Sequence, residues 1–142
     1  MMVTDRLDSL PIEAGAVALG FFDGVHLGHR AVIGGAVASD SVPCVFSFTA
    51  PAGRARLFRI MTDARRIEAI GALGVQHLVM PPFEAFSSMS PEQFVEEVLL
   101  GVFHAKLAVC GENFHFGYHA AGDSHQLQTL CADRGIEVKI VE

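Results

Sequence analysis

Two histidines three residues apart, His26 and His29, follow a short apolar run and an Asp-Gly pair in the stretch Gly20 to His29, GFFDGVHLGH. The run reads as the end of a strand and the residues after His29 as a helix, so both rings fall at or just before a helix start. Free backbone N–H groups point outward there, and the helix dipole adds roughly half a positive charge. Gly24 and Gly28 remove side chains that would hold a phosphate off the backbone. With two imidazoles added, this is an anion site in a chain of net charge −6. A metal pair is the least favoured reading, because the zinc-protease pattern needs His at i and i+4 around a Glu and this spacing is wrong for it. Two structural histidines, in the core or on the surface, are the second reading. Asp23 either orients the turn through backbone bonds, the role favoured here, or takes part in the anion site.

The platform needs a sheet and helices to hold it. Ala16 to Phe22, Cys44 to Phe48, Val75 to Met80, Leu107 to Cys110 and Glu137 to Val141 are short apolar or β-branched runs, and read as five strands. A first helix is expected over His29 to Ser39, with Gly34 and Gly35 weakening its middle by about 1 kcal/mol each relative to alanine. A second starts after Thr62, turns Ile67, Ile70 and Leu73 inward and stops at Gly74. A third has Ser90 as N-cap, Pro91 at the first helical position and Gln93 completing a capping box, with Phe94, Val95, Val98 and Leu99 on one face. A fourth runs from about Asp123 to Arg134 and stops at Gly135. Alternating strands and helices with mostly short loops predict a Rossmann-like, doubly wound α/β domain: a mostly parallel five-stranded sheet with helices on both faces. Such sheets bind ligands at the carboxyl ends of their strands, where the Phe22 to His29 turn lies. The first dozen residues are expected to be loosely held.

Composition narrows the classes. With 142 residues, 51% of them hydrophobic, one core and one domain over residues 1–142 are expected. The absence of a long apolar run predicts neither a membrane span nor a membrane partner, and a cytoplasmic location is expected. The acidic balance gives no general attraction to nucleic acid. Cys44, Cys110 and Cys131 stand singly, and read as small buried hydrophobes rather than as disulfide or zinc partners.

The stretch G-x-F-D-G-V-H-x-G-H resembles the signature of the nucleotidylyltransferase superfamily. Its Phe-Asp-Gly-Val-His form is similar to the adenylyltransferase module of bacterial bifunctional FAD synthetases (riboflavin kinase/FMN adenylyltransferase). Phe83 to Phe94 is similar to that family's segment before its third helix, Gly111-Glu-Asn-Phe-His-Phe-Gly117 to its second ligand loop, and Ala121-Gly-Asp123 follows in the family's order. The resemblance implies transfer of AMP from ATP to FMN, giving FAD and pyrophosphate, with Mg2+ accompanying ATP. It also implies a catalytic set of His26, His29 and Asn113, and an ATP site of Gly20, Phe22, Asp23, Gly24, His26, Gly28 and His29. Asn113 would donate to a phosphate or hold magnesium's water shell, with no direct protein ligand to the metal. Phe94 and Phe116 match family positions near the flavin, and Phe48 and Phe58 are looser candidates; core packing is the plain alternative for each.

Other polar groups read more plainly. His77, His104 and His125 read as structural or solvent-facing, whereas His115 and His119 flank the second loop and are candidate ligand contacts. Arg54, Arg56 and Arg59 form the only basic cluster, a solvated loop or a contact for a triphosphate.

The sequence departs from the family in three places. Phe21 stands where asparagine is usual, Ser47-Phe-Thr-Ala-Pro51 replaces a Pro-His-Pro-like segment, and the family's arginine-bearing Ser/Thr-rich segment and riboflavin kinase domain are absent from these 142 residues. Two further readings therefore stand beside FMN adenylyl transfer: a nucleotidylyltransferase with another phosphorylated acceptor, and a non-catalytic nucleotide- or flavin-binding module.

Overall fold

The computed structural model describes residues 1–8, 12–25, 27–49 and 62–142. His26, Phe58, the segment from Ala50 to Pro51 and the Arg54, Arg56 and Arg59 cluster lie outside the described residues. Six strands form one parallel sheet: β1 (Met2–Thr4), β2 (Gly15–Leu19), β3 (Val42–Phe46), β4 (His77–Val79), β5 (Leu107–Gly111) and, last in the chain, β8 (Glu137–Val141). Their order is β1-β4-β3-β2-β5-β8, every pairing parallel. Two short strands, β6 (His115–Phe116) and β7 (Gly122–Asp123), make a separate antiparallel hairpin.

The doubly wound class is as expected, but the sheet has six strands rather than five. The extra one is β1, in the segment expected to be loose. Met2, Val3 and Thr4 pair with His77, Leu78 and Val79, and an edge strand needs only that one partner.

Residues alternate between the two faces as the strand period requires. Val17, Leu19, Cys44, Phe46, Val79, Ala108 and Cys110 belong to one buried cluster, and Ala16, Ala18, Val45, Leu78 and Val109 to the other. Helices α1 (Leu27–Val37) and α2 (Asp63–Gly71) cover the second face. The first is covered by α3, an α-helical turn Pro91–Phe94 continuing into a π-helical stretch Val95–Leu100, and by α4 (Ser124–Ala132).

The predicted end signals act locally. Thr62, Ser90 and Asp123 accept from the backbone N–H of Arg65, Gln93 and Gln126, each satisfying an orphan donor of a first turn. The capping box of α3 is only half made, because Gln93 Nε2 donates to Glu97 rather than reaching back to Ser90. Gly74 and Gly135 hold φ of +98° and +71°, as expected of helix stops. Gly35 has a packing reason inside α1: a Cβ there would lie 3.1 Å from Val109. No helix among the described residues is long and apolar enough to cross a membrane.

Candidate nucleotide and aromatic-ligand site

After β2 the chain runs to α1 and β3 on one side of the sheet, whereas β5 and β8 lie on β2's other side. The strand order therefore reverses between β2 and β5, and a crevice opens at their carboxyl ends. The Gly20 to Val25 turn enters this crevice from β2, and the Gly111 to Gly117 loop from β5.

The β2 turn is built from unusual backbone. Phe22, Gly24 and Val25 have φ of +58°, +83° and +42°, and Val25 N–H donates to the Phe22 carbonyl. Positive φ at a phenylalanine and at a β-branched valine is strained, and persists only where the surroundings over-determine it. Both side chains are buried in the α1 face core, which supplies that constraint. Helix α1 begins at Leu27, slightly before the expected start, so His29 lies in its first turn rather than at its lip.

The β5 loop is tied down from four sides. Glu112 N–H donates to Val141, Phe114 N–H to Gly111, Ser124 Oγ to the Glu112 carbonyl at 3.0 Å, and His115 Nδ1 to the Asn113 carbonyl at 2.9 Å. Ser124 is buried beneath the loop. Together these bonds fix the backbone on both sides of Asn113.

Two cavities adjoin at this crevice. One, of about 410 Å³, is lined by Gly20, Phe22, Gly28, His29, Val32, Glu112, Asn113 and Val141 among others. It joins the first turn of α1 to the β5 loop, and the positive end of the helix dipole and the His29 imidazole suit an anion. The other, of about 340 Å³, is walled by Phe21, Phe46, Phe48, Phe83, Phe86, Phe94, Phe114 and Phe116, eight of the chain's eleven phenylalanines. Gly20, Asn113 and Phe114 border both cavities. An aromatic slot thus opens directly onto an anion cradle.

Of the sequence-predicted residues, Gly20, Phe22, Gly28, His29 and Asn113 are brought together at the anion cavity, and Phe48, Phe94 and Phe116 at the aromatic one. Asp23 and Gly24 form the turn itself and are absent from both linings. His115 borders the aromatic cavity, whereas His119 lies in a neighbouring turn outside it. His104 is structural, its Nδ1 donating to the Ile12 carbonyl at 2.8 Å. His77 sits at the start of β4, where burial, and then the N-terminal ammonium, push its pKa below the usual 6.5.

Phe21, Phe46, Phe83, Phe86 and Phe114 were not predicted as lining. The signal was their spacing: Phe46 and Phe48, like Phe114 and Phe116, stand two apart, which puts each pair on one side of an extended chain. The Phe114 and Phe116 rings stack 5.8 Å apart at 10°, and those of Phe21 and Phe48 lie 4.9 Å apart.

A doubly wound parallel sheet with a polar crevice at its switch point and an aromatic slot beside it defines an α/β domain with a candidate nucleotide site. The FAD synthetase family model matches residues 11–142. The chain belongs to that family. It is 35% identical over 145 residues to FAD synthetase 1, chloroplastic, of Arabidopsis thaliana, covering 92% of this chain and 39% of that one. It is 35% identical over 119 residues to the bifunctional riboflavin kinase/FMN adenylyltransferase of Bacillus subtilis, covering 75% and 37%. The chain thus spans well under half the length of these relatives. A solved structure described as a macrolide-efflux protein from Streptococcus pneumoniae superposes with a TM-score of 0.81 at 24% identity, over 99% of this chain and 49% of that one. At that identity the likeness bears on the fold alone.

Proposed function

We propose that this domain transfers the adenylyl group of ATP to FMN, releasing pyrophosphate and forming FAD. The observation that carries the reading is the shared border of the two cavities at Gly20, Asn113 and Phe114. A flavin ring in the aromatic slot would direct its phosphate toward the same border that the ATP phosphates reach from the cradle. An oxygen of the FMN phosphate then attacks the α-phosphorus, the bond to the bridging oxygen of the β-phosphate breaks, and pyrophosphate leaves. No covalent enzyme intermediate is needed, so catalysis is positioning plus stabilisation of growing charge.

In this reading His29 and the positive end of the α1 dipole hold the ATP phosphates, with His26 as their partner, while Asn113 donates at the point of transfer. Magnesium belongs to the proposal as ATP's companion. Among the described residues no three His, Cys, Asp or Glu side chains group as a metal cage, and the oxygen donors at the cradle, Asn113 and Glu112, suit a hard cation carried on phosphates. When bound it would draw off phosphate charge. A riboflavin kinase domain, named in the bacterial relative, is proposed to belong with this module in the whole protein.

Incubating the chain with ATP, Mg2+ and FMN and following FAD by chromatography tests the reading, with His29→Ala as the paired variant. FAD formation that is lost in the variant is expected. Binding of ATP or FMN without FAD formation would leave the non-catalytic module instead, and transfer to a different phosphorylated acceptor would leave the other transferase reading.

A further inference from the structure

A fully buried charged side chain beside the site has no part in the chemistry above. Arg66, on α2, is 0% exposed. Its Nη1 donates to the Phe21 carbonyl at 2.9 Å and its Nη2 to the Phe48 carbonyl at 2.8 Å, with Asp63 Oδ1 at 3.2 Å and Met80 Sδ at 3.3 Å. The guanidinium carbon stands 4.3 Å from the centroid of the Phe21 ring. The Phe21 carbonyl also accepts from the buried Ser47 hydroxyl at 2.8 Å.

These contacts gather the carboxyl ends of three strands. The ladder between β2 and β3 pairs Leu19 with Phe46, and Gly20 N–H still donates to the Phe46 carbonyl. The next rung would bring Phe22 N–H to the Phe48 carbonyl, but Phe22 has turned to positive φ and the strands part there to open the cavities. The Arg66 fork stands in that missing rung. A buried cation costs more than an apolar side chain of the same volume, so packing alone does not call for one here. A planar fork that bonds two carbonyls and stacks on a ring is a geometry that arginine has and lysine lacks.

We infer that Arg66 is a positioning residue for the aromatic slot: it fixes the Phe21 and Phe48 backbones and the Phe21 ring, and so sets the wall against which a flavin stacks. The inference rests on the flavin reading proposed above, and adds to it a residue that touches neither substrate.

The test is binding by the full chain of FMN, followed by flavin fluorescence, and of ATP, followed by calorimetry, in Arg66→Lys and Arg66→Met, with thermal midpoints recorded. FMN affinity should fall at least about tenfold in both variants while ATP affinity stays within about threefold, because lysine cannot hold both carbonyls in one plane. FMN and ATP affinities that fall together in step with the thermal midpoint would mean a purely structural role, and overturn the inference, as would two unchanged affinities. Should the Arg66 variants not fold, Phe21→Leu carries the test: it keeps the carbonyl and removes the stacked ring. There, selective loss of FMN affinity supports the inference and unchanged affinity overturns it. Wild-type chain that binds no FMN overturns the flavin reading and this inference with it, whereas wild-type binding with indifferent variants overturns the Arg66 role alone.

Discussion

The ring of Phe22 meets the imidazole of His29 edge-on, with centroids 5.4 Å apart and planes at 87°. Phe22 is only 2% exposed and holds its strained φ because its ring is packed under Gly20, where a Cβ would come within 3.0 Å of it. The strain of the turn is therefore spent on placing a ring that steadies the histidine. Phe22→Leu keeps the apolar volume and loses the edge contact, which is worth about 0.5–1.5 kcal/mol. The expected result is a three- to tenfold lower kcat for FAD formation, with FMN affinity unchanged; an undiminished kcat would remove His29 from the positioning this contact implies.

Asn113 faces both cavities, and Ser124 holds its loop from below. Loss of one donor to developing phosphate charge costs on the order of 10² to 10³ in rate, so Asn113→Ala should lower kcat by that amount with little change in fold stability. Ser124→Ala removes one buried hydrogen bond and leaves the Glu112 carbonyl without that partner, a loss of about 1–2 kcal/mol in stability. It should lower kcat only a few-fold, and the double variant should be no slower than Asn113→Ala alone. Steady-state kinetics and urea unfolding on the four proteins separate these effects, and a multiplicative double variant would show that the serine acts by some other route.

Gly122 lies flat against Phe116, so that a Cβ there would sit 2.7 Å from the ring edge. The hairpin pair Phe116 and Gly122 thus sets how far Phe116 reaches into the aromatic slot. Gly122→Ala must move the ring, at the cost of about 1–3 kcal/mol that overpacking carries. FMN affinity should fall while ATP affinity holds. Equal loss of both, measured by calorimetry, would show that the two cavities do not take the two ligands separately.

Much of the frame was legible because it is written in periodicity and end signals. The alternation of Val17 and Leu19 against Ala16 and Ala18, the cap at Ser90, the helix starts near Thr62 and Asp123 and the glycine stops needed only local rules. The strand β1 was missed because Met2–Thr4 is too short for a pattern, and its only partner lies far along the chain at His77–Val79. Half of the site was legible too, since His29 and its glycines are adjacent in sequence. The aromatic slot was legible only in part: the family resemblance pointed to Phe48, Phe94 and Phe116, whereas Phe21, Phe46, Phe83 and Phe114 come from separate elements and each alone reads as core. Arg66 lies one turn before Ile70 on the inward face of α2, and a pattern of apolar residues assigns a charged residue there to solvent. Besides Asp63 on its own helix, its nearest partners are the Phe21 and Phe48 carbonyls, exposed by the parting of β2 from β3, which no local pattern shows.

Stability should fall at both ends of the pH scale, for separate reasons. His77 has its pKa lowered below 6.5 by burial and then by the N-terminal ammonium. The unfolded chain therefore binds the proton more readily, so its contribution is fully present above about pH 6.5 and is lost as pH falls below that value through the lowered pKa of the folded state. At the alkaline end, burial pushes Cys44 up to about 12 and Cys110 to about 11; Cys131 also reaches about 11, through burial opposed by Arg134. The folded state keeps these thiol protons while the unfolded state releases them near 9.0, so stability declines from about pH 9 upward. Urea midpoints across pH 5 to 10.5 should show both falls, and His77→Gln should flatten the acid one. At pH 8, a shift from 9.0 to about 12 lowers the thiolate fraction about 10³-fold, so native Cys44 should resist iodoacetamide and react once unfolded in urea. Rapid labelling of Cys44 in the native chain would contradict the burial that sets its pKa.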